Sequence, residues 1–172
     1  MVLFAISTVV IGLDQWTKAW VRATLPEGAS LEPVSWLASF VRFTHVHNTG
    51  VAFGMLQNKG NLFVYVTLAV VLIIVFYYRR MATQHWMLCT ALGLQLGGSI
   101  GNLIDRIARG YVTDFVNVSF FAVFNIADSA LVVGALLLGY YALFMERDKP
   151  VQTPATPSAQ PPAPDESSSE AH

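Results

Sequence analysis

Phe124-Asn-Ile-Ala-Asp-Ser-Ala130 opens an apolar run that continues to Met145. Asp128 lies just inside the start of that run, where a lone carboxylate is hard to justify. A second such residue, Asp114, lies in Gly110-Tyr-Val-Thr-Asp-Phe-Val116, immediately before an apolar stretch. A carboxylate at membrane depth costs on the order of a few kcal/mol, so an ionisable residue there points to function by default. Two of them in adjoining segments suggest a pair that shares one proton, the device of aspartic proteases.

Working outward, the surroundings are those of a membrane domain. Of 172 residues, 54% are hydrophobic and 12% are charged, about half the roughly 25% charge of ordinary soluble domains. A formal net charge of −1, with no basic cluster beyond Arg79-Arg80, argues against a nucleic-acid surface. The single cysteine, Cys89, excludes an intrachain disulfide and a Cys-based zinc site. Its apolar context reads as packing.

Four apolar segments are long enough, or nearly so, to span a bilayer at ~20 residues each. They run from Met1 to about Leu25, Asn61 to Tyr78, Trp86 to Ile107 and Phe121 to Met145. The first has no basic start and no small-residue cleavage site, and Asp14 and Lys18 interrupt its apolar face, so it reads as retained rather than as a signal peptide. Arg79-Arg80 closes the second segment, and Arg147 with Lys149 closes the fourth. By the positive-inside rule both sites are cytoplasmic, and alternation makes both termini cytoplasmic too. Segments 26–60 and 108–120 then face outward, which takes Asp114 and Asp128 to the outer interface. Lys18, Arg22, Arg42 and Lys59 oppose this on a simple count, an opposition weakened if Lys18 is tied up in a polar site.

The outer insert 26–60 begins with the breakers Pro26, Gly28 and Pro33. Trp36–Thr44 has the aromatic and β-branched content of short strands, Asn48-Thr-Gly50 reads as a turn, and Val51–Leu56 reads as a short interfacial helix. From Asp148 the character changes: six of the eight prolines fall in the last 25 residues. Residues 1–147 are therefore expected to form the membrane domain, and 148–172 a disordered cytoplasmic tail.

The polar residues group into short blocks. Asp14 and Lys18 are four apart in Leu13-Asp-Gln-Trp-Thr-Lys18, in the favourable acid-then-base order on one helix face. They form either a self-neutralising pair or a support for a nearby site. In His47-Asn-Thr-Gly-Val-Ala-Phe53, Asn48 either makes a turn or orients a substrate backbone where Gly50 permits close approach. His45 and His47 share a strand face but lack a third metal ligand. In Gly101-Asn-Leu-Ile-Asp-Arg106, Asp105 and Arg106 read as a terminal cap or ion pair, whereas Asn102, one turn inside, needs a polar partner such as a site carboxylate. Upstream, Gly93, Gly97 and Gly101 suit close helix packing. Gly97-Gly-Ser-Ile-Gly101 also matches a serine-hydrolase pattern, but inside a helix and far from a histidine. Asp114 and Asp128 have the alternative of pairing with Arg106 or Arg109.

Five blocks in order carry a resemblance: Leu13-Asp-Gln-x-x-Lys18, Asn48-x-Gly-x-Ala-Phe53, Gly101-Asn-x-x-Asp-Arg106, Val112-x-Asp-Phe115 and Phe124-Asn-x-Ala-Asp-Ser129. Together, across roughly residues 10–145, they resemble the lipoprotein signal peptidases (signal peptidase II). One departure is the abrupt apolar start, where relatives often have a longer, basic N-terminus. The resemblance implies an all-α polytopic protein of the bacterial inner membrane, with four transmembrane helices. It also implies an extracytoplasmic β-cradle over 30–50 and an interfacial helix over 51–58. It implies Asp114 and Asp128 as the catalytic dyad. Asp14, Lys18, Asn48, Gly50, Asn102, Asp105, Arg106, Asn125 and Ala127 would line or support the site. The substrate implied is a prolipoprotein, cut just before its diacylglyceryl-modified cysteine. No metal or organic cofactor is required. The expected partners are that substrate and membrane lipid, with no nucleic acid, and a monomer is expected. Two rivals keep different chemistry: a proton-coupled transporter using the Asp pair as a relay, and a serine intramembrane protease using Ser99.

Overall fold

The computed structural model describes residues 1–34, 36, 38–50, 60–81 and 85–145, with only the backbone of 60–61 and 77–81. The interfacial helix expected over 51–58 and the tail expected over 148–172 lie outside the described residues, as do the side chains of Lys59, Arg79, Arg80, Arg147 and Lys149.

Four helices form where the apolar segments lie: α1 (Val2–Thr24), α2 (Gly60–Met81), α3 (Trp86–Arg109) and α4 (Ile126–Tyr140). A wider π-helical turn, Tyr141–Met145, continues α4. Among the described residues, Trp86–Arg109 and Ile126–Met145 are long and apolar enough to cross a membrane, and Leu62–Phe76 is a shorter apolar helix. α1 is as long but carries Asp14, Lys18 and Arg22.

The helix ends follow local chemistry. α3 ends at Arg109, two residues beyond the Ile107 that the sequence suggested, and is capped by Gly110, whose φ of 80° lies in the left-handed region that favours glycine. α4 starts at Ile126 rather than near Phe121. Asn125 caps it, its side chain accepting from the Asp128 N–H while Asp128 accepts from the Asn125 N–H. This reciprocal capping box satisfies two otherwise orphaned donors.

The fold also contains a three-stranded antiparallel sheet, β1 (Ser30–Leu31), β2 (Val41–Asn48) and β3 (Val112–Val118), in that spatial order. "All-α" therefore describes the helical part only. The strand expected within 36–44 is displaced to Val41–Asn48, so Asn48 ends a strand. β3 falls in a segment for which no strand was expected. Both differences have one cause, a ladder between segments some 70 residues apart, which local composition does not reveal. Between Phe43↔Val116 and Val46↔Asp114 the register slips, with Thr44 and His45 of β2 facing Phe115 alone of β3. Such a bulge re-aims the strand beyond it, here the strand end that carries Asn48.

α3 is the central helix, with α1, α2 and α4 packed around it. Its glycines permit this. A Cβ on Gly97 would come within 2.7 Å of the Val10 Cβ, and one on Gly98 within 2.5 Å of the Ala127 carbonyl oxygen. Without side chains there, helices approach closely enough for van der Waals packing to hold them in lipid. The apolar core lies away from the sheet, in Leu3, Ile74, Leu92 and Leu96, with a second cluster of Met87, Leu88 and Tyr141. The half of the bundle beneath the sheet is packed with polar side chains instead.

Candidate active site

At the centre of that polar half, Asn125 joins the two aspartates. Its side-chain Nδ2 donates to Asp114 Oδ1 at 2.7 Å, its backbone N–H donates to Asp128 Oδ2 at 3.2 Å, and its Oδ1 accepts from the Asp128 N–H at 2.9 Å. Each carboxylate has a second amide donor. Asn48 Nδ2 donates to Asp114 Oδ2 at 2.8 Å, and Asn102 Nδ2 donates to Asp128 Oδ1 at 2.8 Å. The pair is thus assembled from β2, β3, α3 and the start of α4. Gly50 donates its N–H to Asn48 Oδ1 at 3.0 Å, which turns the Asn48 amide nitrogen toward Asp114.

A buried charge network fixes the orientation of Asn102. Lys18 Nζ is fully buried, lies 2.8 Å from Asp14 Oδ2 and 3.3 Å from Asp105 Oδ2, and donates to Asn102 Oδ1 at 2.8 Å. Asn125 Nδ2 donates to the same oxygen at 3.1 Å. With its oxygen holding two donors, Asn102 has only its NH2 to turn toward Asp128. Asp14 Oδ1 accepts the Ala127 N–H at 3.0 Å, which ties α1 to the first turn of α4. A Cβ on Gly101 would come within 2.6 Å of Asp14 Oδ2, so glycine there makes room for that carboxylate.

All eleven residues singled out in the sequence fall in this region. Of the arginines that could pair with the two aspartates, Arg109 bonds Asp105 at 3.1 Å, and Arg106 acts on Asp128 and Asp114 through its charge without an ion pair at contact distance among the described residues. Arg106 instead lies with its guanidinium carbon 5.6 Å from the Phe63 ring centroid. It lines a cavity of about 510 Å³ between α2, α3 and α4 together with Asn102 and Asp128. Ser99 sits in the middle of α3, not on a strand-to-helix turn. His85 caps the N-terminus of that helix, ~21 Å away along the axis at 1.5 Å per residue.

The sequence reading passed over Arg22, Thr113 and Gln15. Arg22 Nη1 donates to Thr113 Oγ1 at 3.0 Å and lies 3.6 Å from Asp105 Oδ1. The Thr113 N–H donates to Asp105 Oδ2 at 3.0 Å, and Gln15 Nε2 donates to the Gly101 carbonyl at 3.0 Å. Arg22 had a legible signal, since positions 14, 18 and 22 repeat at four-residue spacing on one helix face. His47 meets Glu27 at 2.9 Å and stacks on Tyr111 at 3.8 Å between centroids, while His45 Nδ1 bonds the Leu25 carbonyl at 2.7 Å. Burial holds the His47 imidazole below its ordinary pKa, against the pull of Glu27.

Asp114 is 2% exposed. Burial, with the neighbouring Asp128 charge adding to it, pushes its carboxyl up to about 7, while the Asn48 and Asn125 donors act in the opposite direction. At neutral pH this site can therefore hold a proton on Asp114 beside the Asp128 carboxyl. A proton donor and a proton acceptor side by side can cleave a peptide bond by acid–base chemistry.

Comparison with known proteins agrees with this chemistry. The family model described as signal peptidase (SPase) II matches residues 6–144. The lipoprotein signal peptidase of Moorella thermoacetica is 41% identical over 143 residues, covering 83% of this chain and 93% of that one. That of Halalkalibacterium halodurans is 43% identical over 153 residues, covering 87% and 94%. Two solved bacterial membrane enzymes share the fold. One has a TM-score of 0.78 at 29% identity over 90% of this chain and 94% of that one; the other has 0.75 at 31% over 83% and 93%. With the model match spanning most of the chain and relatives above 40% identity over their nearly full length, the chain belongs to the signal peptidase II family.

Proposed function

We propose that this peptidase removes the signal peptide from prolipoproteins, cutting just before the diacylglyceryl-modified cysteine, with Asp114 and Asp128 as its catalytic dyad. The observation that carries the reading is the single Asn125 side chain and backbone bonded to both carboxyl groups. A shared task explains why two carboxylates in apolar surroundings are held by amides, with no cation at ion-pair distance among the described residues. In the proposed reaction Asp128 takes a proton from water as the oxygen attacks the scissile carbonyl. The protonated Asp114 donates to the carbonyl oxygen, forming a gem-diol intermediate. Collapse re-forms the C=O bond, breaks the C–N bond and delivers a proton to the leaving amine.

The substrate class is supported by the relatives, which are named lipoprotein signal peptidases, and by the cavity, polar beside Asp128 and apolar along α2 and α4. Two acyl chains hold a substrate in the bilayer at ~0.8 kcal/mol per buried CH₂. They therefore concentrate the scissile bond at one depth and reduce the orientational freedom left to lose. Purified protein in liposomes is expected to cleave diacylglyceryl-prolipoprotein at least about tenfold faster than the same chain with a bare cysteine. A gel-shift assay at matched concentrations reads the ratio, and equal rates would remove the lipid from the recognition.

The proposed topology has four spans, both termini in the cytoplasm and the dyad at the extracytoplasmic interface of the bacterial inner membrane. It rests on the positive-inside reading together with the single polar end of the bundle. In a Cys89→Ala background, Glu32→Cys is expected to react with an impermeant thiol reagent from outside and Thr83→Cys only after lysis. The reverse pattern would put the dyad on the wrong face.

A further inference from the structure

The cavity that reaches Asp128 continues along α3 toward its N-terminal half, past Asn102 to Ser99 and Gln95. Residues 95, 99, 102 and 106 recur at the spacing of one helix face. Four other helix hydroxyls satisfy themselves on the preceding turn: Thr17 on Leu13, Thr24 on Trp20, Thr90 on Trp86 and Ser129 on Asn125. Ser99, 5% exposed, and Thr67, facing the same cavity from α2, make no hydrogen bond among the described residues. Gln95 uses its Nε2 on the Leu131 carbonyl at 2.8 Å, and its Oε1 has no donor among the described residues. Two hydroxyls and one amide oxygen thus line the cavity with hydrogen-bonding capacity unused among the described residues, accessible to a ligand that enters it. A substrate bound in the cavity can supply their partners.

Resting on the proposed function, the chemistry of that partner follows. A peptide bond inside an apolar helix is closed to attack, so the segment before the scissile bond must unwind. Unwound backbone at membrane depth needs hydrogen bonds from protein, since lipid supplies none. Seven residues of α3 separate Gln95 from Asn102, ~10 Å along the axis, the length of about three extended residues. We propose that Ser99, Thr67 and the Gln95 carbonyl oxygen form a subsite that binds the backbone of about three substrate residues preceding the scissile bond. Ser99 and Thr67 donate to substrate carbonyls, and Gln95 accepts a substrate N–H. The apolar walls, Val70 and Leu131 among them, receive the side chains. The serine of the hydrolase-like motif then serves as a ligand of the substrate rather than a nucleophile.

The test uses the full-length protein in liposomes and a semisynthetic lipidated substrate in which single backbone amides before the scissile bond are replaced by esters. A hydrogen bond of ordinary strength corresponds to about fivefold in kcat/KM. Wild type is expected to discriminate against at least one ester by about that factor. Ser99→Ala and Thr67→Val are expected each to raise KM by about fivefold for the all-amide substrate, with an unchanged melting temperature. Gln95→Met should remove the discrimination between amide and ester. Wild-type KM in the Ser99→Ala/Thr67→Val double variant, or undiminished ester discrimination in Gln95→Met, would overturn the subsite. Variants that change the dependence on acyl-chain length but leave ester discrimination intact would reassign the cavity to lipid and overturn it equally. Failure of the underlying reading looks different: wild type would show no Asp114-dependent cleavage at all, and the subsite would fall with it.

Discussion

Asp114→Asn and Asp128→Asn are each expected to lower prolipoprotein cleavage by roughly 10²–10⁴-fold, the usual range for an acid–base group, while the protein still folds. Members of a dyad act as a unit, so either loss should cost nearly the whole effect. Asparagine keeps the shape of each carboxyl but only one acceptor oxygen, so at either position one of the two donors loses its partner while the other is retained. Turnover above about a tenth of wild type in either variant would remove the dyad assignment. The pH profile should carry the same signature. With Asp114 at about 7, activity is expected to fall as pH rises through neutrality and the last shared proton leaves. Stability follows the same sign: between about 4 and 7 the native state binds a proton that the unfolded chain has lost, so stability declines across that window as pH rises. In Asp128→Asn, Asp114 should titrate lower, because the Asp128 charge contributes to its elevation. An unchanged Asp114 titration, followed by ¹³C NMR of labelled aspartate, would contradict the coupling.

The second large effect is expected at Lys18. Lys18→Met leaves Asp14 and Asp105, both fully buried, without the ammonium that lies between them. Removing one partner from a buried ionic group typically costs about 3–5 kcal/mol, enough to exhaust much of a domain's margin. Arg22 and Arg109 still approach Asp105, so the uncompensated charge falls chiefly on Asp14. Lys18→Met/Asp14→Asn is therefore expected to recover part of the lost melting temperature but not the full activity, because Asn102 would still lack the donor that orients it toward Asp128. A single variant melting at the wild-type temperature in detergent would refute this account.

The parts legible in the sequence were those encoded locally. Each apolar segment became a helix near its expected bounds, because a stretch suited to lipid satisfies its backbone only by coiling on itself. Asp114 and Asp128 stood out because their neighbours gave them no local reason to be charged. β3 escaped notice because Val112–Val118 pairs with residues 41–48, and the bulge at Phe43–Val46 is a property of the pairing. The double role of Asn125 was equally hidden: its capping of α4 emerged only with the helix start at Ile126, and its bond to Asp114 needs the sheet in place. Arg22 was missed for a lesser reason, that its four-residue spacing from Lys18 was not followed one step further.

The bond from Ala127 N–H to Asp14 Oδ1 joins residues 113 positions apart, and this sets an order on biogenesis. α1 emerges from the ribosome carrying Asp14 and Lys18 long before Asn102, Asp105 or Ala127 exist. At that moment the two side chains, one helical turn apart at 2.8 Å, have only each other. Their pairing neutralises two of the three charges on the first helix, leaving Arg22, while the rest of the chain is made. When α3 follows, Lys18 takes Asn102 and Asp105 as further partners, and with α4 Asp14 receives the Ala127 N–H. Since the two carboxyls of the proposed dyad take their donors from α3, the sheet and α4 together, activity is expected only once α4 has been made.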